Sequence, residues 1–312
     1  MIDSIERLIR ETLTREVSPT IILHNFEERM IRPGMSGAAL RKFELFVSDA
    51  SISERLNLSL VVKESSWVER RVLDILYKQK MNVPFNFTFN LTSDVPDFIC
   101  LQDLGSNHIP DPLSISDDVL KKEAYELARI HATNLHQDTQ YAWLPRIDRR
   151  FIETWLQVGW KGPWQEVLQN EEFIDVFRSY ISQIEQSAQH IVEDMNLVIR
   201  DSDFFSLIHT DLHGGNVLVD NDEVYFIDWA EAHYGSIILD LPHNFCTRRH
   251  VQHYVEALND LGVRFPETTF YEQYQICRRY IGLRYMGWLL HIWRHDKGAT
   301  NWIIHQMNMA IE

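Results

Sequence analysis

Residues 209–216 read His-Thr-Asp-Leu-His-Gly-Gly-Asn, and residues 225–229 read Tyr-Phe-Ile-Asp-Trp. Three largely apolar runs flank and separate them, at 204–208, 217–219 and 224–227. The stretch Asp220, Asn221, Asp222, Glu223 has turn chemistry, so the second and third runs are expected to pair as a hairpin. Asp211 and Asn216 then sit on a loop leaving one strand, and Asp228 ends the hairpin's second strand. No other part of the chain restricts its fold so tightly.

Those three side chains suit phosphoryl transfer. One carboxylate, Asp211, can orient an attacking hydroxyl, while the Asn216 amide oxygen and the Asp228 carboxylate can hold Mg²⁺ against nucleotide phosphates. Two other readings compete. His209, Asp211 and His213 alternate, so an extended segment would turn all three to one face, and two histidines with a carboxylate can bind Zn²⁺ as in a metal-dependent hydrolase. Alternatively, the loop is inert and its histidines only cap backbone groups. Asn216 and Asp228 favour the first reading, because amide and carboxylate oxygens suit a hard cation and asparagine is a poor zinc ligand.

The pattern His-x-Asp-x4-Asn followed by Ile-Asp-Trp resembles the aminoglycoside phosphotransferase and choline kinase group of small-molecule kinases. Thr210 stands where protein kinases carry arginine, Trp229 follows the second aspartate, and no Ala-Pro-Glu occurs. The resemblance implies an α+β, two-lobed protein-kinase-like fold, with a small β-rich lobe and a larger, mainly helical one. It places nucleotide binding in residues 1–104 and catalysis and acceptor binding in 105–312. It implies an ATP- or GTP-dependent O-phosphotransferase needing Mg²⁺ and acting on a small hydroxylated molecule. Aminoglycosides come first, with choline-, ethanolamine-, homoserine- or thiamine-type metabolites as alternatives. A nucleotide-binding pseudokinase is disfavoured, since Lys63, Asp211, Asn216 and Asp228 are all present.

Upstream, residues 29–32 read as a strand, residues 33–38 as a small-residue turn, and Phe43, Leu45 and Val47 alternate as a second strand. Ser36 and Gly37 in that turn are candidates for cradling phosphates with free backbone amides. No Gly-x4-Gly-Lys-Ser/Thr loop exists to do so instead. Lys63 lies near the end of the β-rich run 58–64, and the resemblance assigns its ammonium to the nucleotide phosphates. Ser66 and Glu69 form a capping box that opens a helix with Val68, Val72, Leu73 and Leu76 on its apolar face. By resemblance Glu69 pairs with Lys63; equally, it serves only the helix terminus, and the gap of six residues is short for the family. Residues 86–89 and 98–101 read as strands. The segment Gln102, Asp103, Leu104, Gly105 resembles the family's hinge, with the Gln102 carbonyl and the Leu104 amide meeting the adenine edge.

Beyond residue 105 the chain turns helical. His131 is read as a hydrogen-bonded core residue, and His209 as a brace for the loop. Asp240 falls where the family has an aspartate that buttresses the catalytic loop, and Glu231 either faces a cationic acceptor or water. The tryptophan-rich segment 151–164 is either an inserted substrate-binding element or helical core, the core reading being the safer, and the aromatic stripe on the last long helix, 271–294, is read as core. Residues 1–17 read as an amphipathic helix with no signal-peptide core, and no run of apolar residues is long enough to span a membrane. Three cysteines without metal spacing suggest buried thiols in a reducing cytoplasm. The net charge of −15 is uneven, with −2 in residues 1–104 and −13 in the rest. Such an acidic C-terminal part argues against nucleic-acid partners and suits a cationic acceptor, unless it serves solubility alone.

Overall fold

The computed structural model describes residues 2–30, 40–49, 52–92, 97–108 and 115–312. By its contacts the chain divides into two compact units, Met1–Glu126 with His213–Ala232 and Leu127–Leu212 with His233–Glu312. The boundary expected at residue 104 concerns function and falls inside the first unit. Among the described residues no helix is long and apolar enough to cross a membrane.

The first unit is built on a five-stranded antiparallel sheet of order β1-β2-β3-β5-β4. Its strands are β1 (Ile21–Met30), β2 (Leu40–Asp49), β3 (Ile52–Ser65), β4 (Asn86–Phe87) and β5 (Asp97–Gln102). Alternation explains the core: Phe43, Leu45 and Val47 of β2 and Leu60 and Val62 of β3 are all buried on one face. The amphipathic helix α1 (Ile2–Thr12), continued by a π-turn through Val17, covers that face with Ile5, Leu8, Ile9 and Leu13. The first strand starts at Ile21, well before residue 29. β1 is an edge strand with Ile22 exposed and Leu23 buried, and its charged second half hides it from a reading based on apolar periodicity.

Helix α2 (Trp67–Lys78) begins where expected. The Ser66 hydroxyl accepts a hydrogen bond from the Glu69 amide at 3.2 Å, and Val72, Leu73 and Leu76 are buried. The hairpin expected around residues 220–223 is also present in this unit. Strands β7 (Val217–Asp220) and β8 (Glu223–Phe226) pair in the register Asp220↔Glu223, with Asn221 and Asp222 at φ 49° and 63°. Two consecutive left-handed residues are the signature of a tight hairpin, and asparagine and aspartate tolerate that conformation better than most.

The second unit is mainly helical. It takes the later turns of α3 (Asp117–Thr133), then α4 (Arg149–Trp155), α5 (Gly162–Val167), α6 (Glu171–Ile199), α7 (Arg248–Asp260), α8 (Glu267–Trp293) and α9 (Thr300–Ile311). Asp148, Asn170 and Thr247 cap α4, α6 and α7 by accepting amide hydrogens, which fixes where these helices start. Between α4 and α5 lies a π-helical turn, Leu156–Lys161. Trp160 of this turn and Trp164 of α5 are buried and stack with centroids 5.4 Å apart, while Val158 is exposed, so only part of the segment is core. The short strands β6 (Phe205–Ile208) and β9 (His233–Ser236) pair antiparallel inside this unit, and all their residues are buried. Cys100 and Cys277 are buried as expected, and burial pushes the Cys100 thiol up to about 12. Cys246 is exposed, contrary to expectation, because it lies on the loop just before the α7 cap.

Candidate active site

In the first unit, β3 carries Lys63 on the opposite face from Val62. Its ammonium meets the Glu69 carboxylate at 2.9 Å and the Asp228 carboxylate at 2.6 Å. The Glu69 carboxylate thus pairs with Lys63, and only its backbone amide serves the helix terminus by donating to Ser66, so the reading in which Glu69 serves the terminus alone does not hold. The short gap is no obstacle, because β3 runs to Ser65 and α2 starts two residues later. The Ser65 hydroxyl also donates to Glu69, at 2.6 Å. Burial alone would lower the Lys63 pKa, but the two carboxylates outweigh it and raise it. Two anions facing one ammonium keep Lys63 charged at neutral pH. Glu64, one residue on, is exposed as expected.

Asn216 ends a 3-10 turn, and its carbonyl accepts the Ile227 amide hydrogen at 3.0 Å. This bond holds Asn216 beside the residue preceding Asp228. Asp228 itself has φ 61° and ψ 59°, a left-handed conformation that aspartate adopts more readily than most residues. Asn216 is buried, and the Asp228 side chain is partly exposed beside Lys63. Both side chains carry hard oxygen donors, which suits Mg²⁺ bound through a few protein ligands with phosphates and water completing its shell.

The hinge-like segment leaves β5. Gln102 exchanges hydrogen bonds with Phe85, its amide donating to the Phe85 carbonyl at 2.9 Å and its side-chain oxygen accepting from the Phe85 amide at 3.4 Å. Leu104 is buried. Asp103 between them was not expected to matter, yet Lys42 and Ser59 both reach its carboxylate at 2.5 Å and the Gly105 amide donates to it at 3.0 Å. Burial opposes ionisation here, but Lys42 and Ser59 prevail and hold the carboxyl below its ordinary value. Ser36 and Gly37 lie outside the described residues.

The second unit holds Asp211 and its supports. Strand β6 ends at Ile208, and the chain then passes His209 and Thr210, both buried. Thr210 has φ 61°, a marked outlier for a β-branched residue. Asp240 over-determines it. One carboxylate oxygen accepts the Thr210 amide hydrogen at 2.7 Å, and the other accepts the His209 amide hydrogen at 2.6 Å and His131 Nε2 at 3.1 Å. With Nε2 donating to the carboxylate, His131 Nδ1 takes the Tyr254 hydroxyl at 2.6 Å. Burial works against the Asp240 charge, but His131, His209 and these hydrogen bonds hold its carboxyl below the ordinary value. His209 Nδ1 in turn accepts the Asp211 amide hydrogen at 3.3 Å.

Asp211 has one partner that the sequence did not reveal. The Tyr285 hydroxyl, on α8, donates to Asp211 Oδ1 at 2.5 Å, and the His243 ring lies 3.9 Å from the Tyr285 ring. Tyr285 falls in a stripe read as core, and Tyr274, Cys277, Tyr280, Ile281 and Leu289 of that stripe are buried. Tyr285 itself is only partly buried, and Trp288, one turn on, is exposed. That face of α8 is therefore not core.

The zinc reading finds no support in the geometry. Among the described residues no group of three or more His, Cys, Asp or Glu side chains is placed to hold a metal ion. His213 Nδ1 accepts the Gly215 amide hydrogen at 3.0 Å, as His209 Nδ1 does that of Asp211, so both rings serve the backbone.

A β-rich unit carrying a lysine–glutamate pair and a second unit presenting an aspartate on a braced loop define a phosphotransferase that acts on a hydroxyl of a small molecule. Residues 68–243 match the family model described as APH, Phosphotransferase enzyme family, and the chain belongs to that family. Among solved structures it is similar to the AMP-bound spectinomycin phosphotransferase APH(9)-Ia, with a TM-score of 0.63, 15% identity, and 97% of each chain covered. It is also similar to an ethanolamine kinase of Plasmodium vivax, with a TM-score of 0.58 and 14% identity over 91% of this chain and 81% of that one. A third is the choline kinase LicA of Streptococcus pneumoniae, with a TM-score of 0.54 and 14% identity over 98% and 99%. No curated protein matches the sequence significantly. The fold is thus the two-lobed, α+β protein-kinase-like class.

Proposed function

We propose that the chain transfers the γ-phosphoryl group of ATP or GTP to a hydroxyl of a small cationic molecule, with Asp211 as the catalytic carboxylate. The observation that carries this reading is the Lys63–Glu69–Asp228 ion-pair chain, in a member of a phosphotransferase family. Solved relatives in fold have been captured with AMP, and with ADP and spectinomycin, which supports a nucleotide co-substrate. Residues 1–104 serve as the nucleotide lobe and 105–312 as the catalytic and acceptor lobe. Lys63, oriented by Glu69, binds the nucleotide phosphates. The Gln102 carbonyl and the Leu104 amide meet the base, and Ser36 and Gly37 approach the phosphates with backbone amides. Asn216 and Asp228 would hold Mg²⁺, which would supply charge neutralisation for the phosphates.

In the reaction the acceptor oxygen bonds to the γ-phosphorus as the bond from phosphorus to the bridging oxygen breaks. The nucleoside diphosphate leaves with that electron pair, and the hydroxyl proton passes to Asp211. Orientation by Asp211 supplies much of the gain, since positioning is the protein's main contribution to such transfers. His209 and Asp240 brace the loop on which Asp211 sits.

For the acceptor, the net charge of −13 beyond residue 104 favours a cation. An aminoglycoside is the first choice and an amino-alcohol the second. The test compares kanamycin-like amines, choline-like alcohols, homoserine, thiamine and neutral sugars for nucleotide-dependent phosphorylation, each at low and high ionic strength. A cationic acceptor whose KM rises with salt agrees with the proposal. A neutral or anionic acceptor with no salt dependence overturns the charge argument.

A further inference from the structure

We infer that Tyr285 is a positioning residue for the phosphoryl transfer, anchoring the Asp211 carboxylate so that its remaining lone pairs meet the acceptor hydroxyl in a fixed direction. The inference rests on the assignment of Asp211 as the catalytic carboxylate. Three observations carry it. The Tyr285 hydroxyl donates to Asp211 Oδ1 at 2.5 Å, within the range of strong hydrogen bonds to a charged acceptor. The Tyr285 ring is not loose, because the His243 ring packs on it at 3.9 Å and 34°. And α8 is fixed in depth by a close approach: a Cβ on Gly287, two residues from Tyr285, would fall 2.2 Å from the Gly159 carbonyl oxygen.

An aspartate on a loop can turn about χ1 and χ2, and each rotamer aims its oxygens differently. His209 and Asp240 restrain the backbone of residues 209–211. Tyr285 restrains the Asp211 side chain from a helix, a more precise platform than a loop. Burial first, and then the Asp211 charge, push the Tyr285 hydroxyl well above its ordinary pKa, so it stays a donor throughout the working range. Around the pair stand Arg284 on α8 and Asp240, whose charges act on Tyr285, with His209 accepting the Asp211 amide hydrogen and the His243 ring packed on Tyr285.

The test uses Tyr285→Phe in the full chain, which keeps the ring on His243 and removes only the hydroxyl. Steady-state kinetics should show kcat reduced by about tenfold to a hundredfold, as misplacement of a reacting group does. The KM for nucleotide should be unchanged. A purely structural tyrosine would lower stability without this split between kcat and KM. Asp211→Asn, measured alongside, separates the two claims. If Asp211→Asn turns over normally, the assignment of Asp211 fails. If it is inactive while Tyr285→Phe keeps kcat, the role of Tyr285 alone is overturned. A fall in melting temperature with unchanged activity per folded molecule also overturns it.

Discussion

Asp240→Asn tests how the loop bearing Asp211 is held. The native carboxylate is fully buried and accepts two amide hydrogens, from His209 at 2.6 Å and Thr210 at 2.7 Å, as well as His131 Nε2 at 3.1 Å. An asparagine of the same shape has one acceptor oxygen. If that oxygen stays on the side of His209 and His131, the amide nitrogen confronts the Thr210 N–H, and one bond is replaced by a donor facing a donor. Losing a hydrogen bond to a charged group costs about 1.5–3 kcal/mol, and orphaning a buried N–H about 1–3 kcal/mol. Together these give about 2.5–6 kcal/mol, a range that contains the cost of about 3–5 kcal/mol for breaking a buried ion pair. The assay is urea denaturation of wild type and variant at pH 7. The variant should also lose turnover, since the Asp240 carboxylate accepts the amide hydrogen of Thr210, which is held at φ 61°. The sign of the pH effect follows from the depressed Asp240 pKa. A carboxyl with a folded pKa below its unfolded value contributes stability above about pH 4, lost as pH falls through the folded pKa. Wild type should therefore lose stability on acidification more steeply than Asp240→Asn. A stability change below about 1 kcal/mol with normal turnover would refute the brace.

Two further outcomes follow from the same geometry. Asp228→Ala should weaken Mg²⁺–nucleotide binding by at least about tenfold in calorimetry while Lys63 keeps its Glu69 partner, and unchanged affinity would remove Asp228 from the metal site. Gly287→Ala forces a methyl against the Gly159 carbonyl and should cost about 1–3 kcal/mol by overpacking, read as a lower melting temperature; an unchanged melting temperature would show that α8 is not pinned there.

Much of the first unit was legible because its signals are local. The Ser66–Glu69 cap, the alternation at Phe43, Leu45 and Val47, and the turn at Asn221 and Asp222 each specify backbone within a few residues. The Lys63–Glu69 pair was legible only through resemblance, since residue spacing alone could not choose between cap and ion pair. What escaped depends on distant contacts. Tyr285 meets Asp211 across 74 residues of chain, and a tyrosine at helical spacing among buried residues carries no mark of that. Asp103 carries no local mark, because Lys42 and Ser59 reach it from β2 and β3, far from it in sequence. Strand β1 was under-read because an edge strand has less apolar alternation to show.

The most direct measurement follows labelled γ-phosphate from ATP and GTP into a panel of hydroxylated amines and alcohols, using wild type and Asp211→Asn with Mg²⁺ present. The account predicts that wild type forms a phosphate ester of at least one acceptor, and that Asp211→Asn binds nucleotide normally but forms the ester at least about a hundredfold more slowly. Equal rates of ester formation by the two proteins, or wild-type protein that binds no nucleotide, would contradict it.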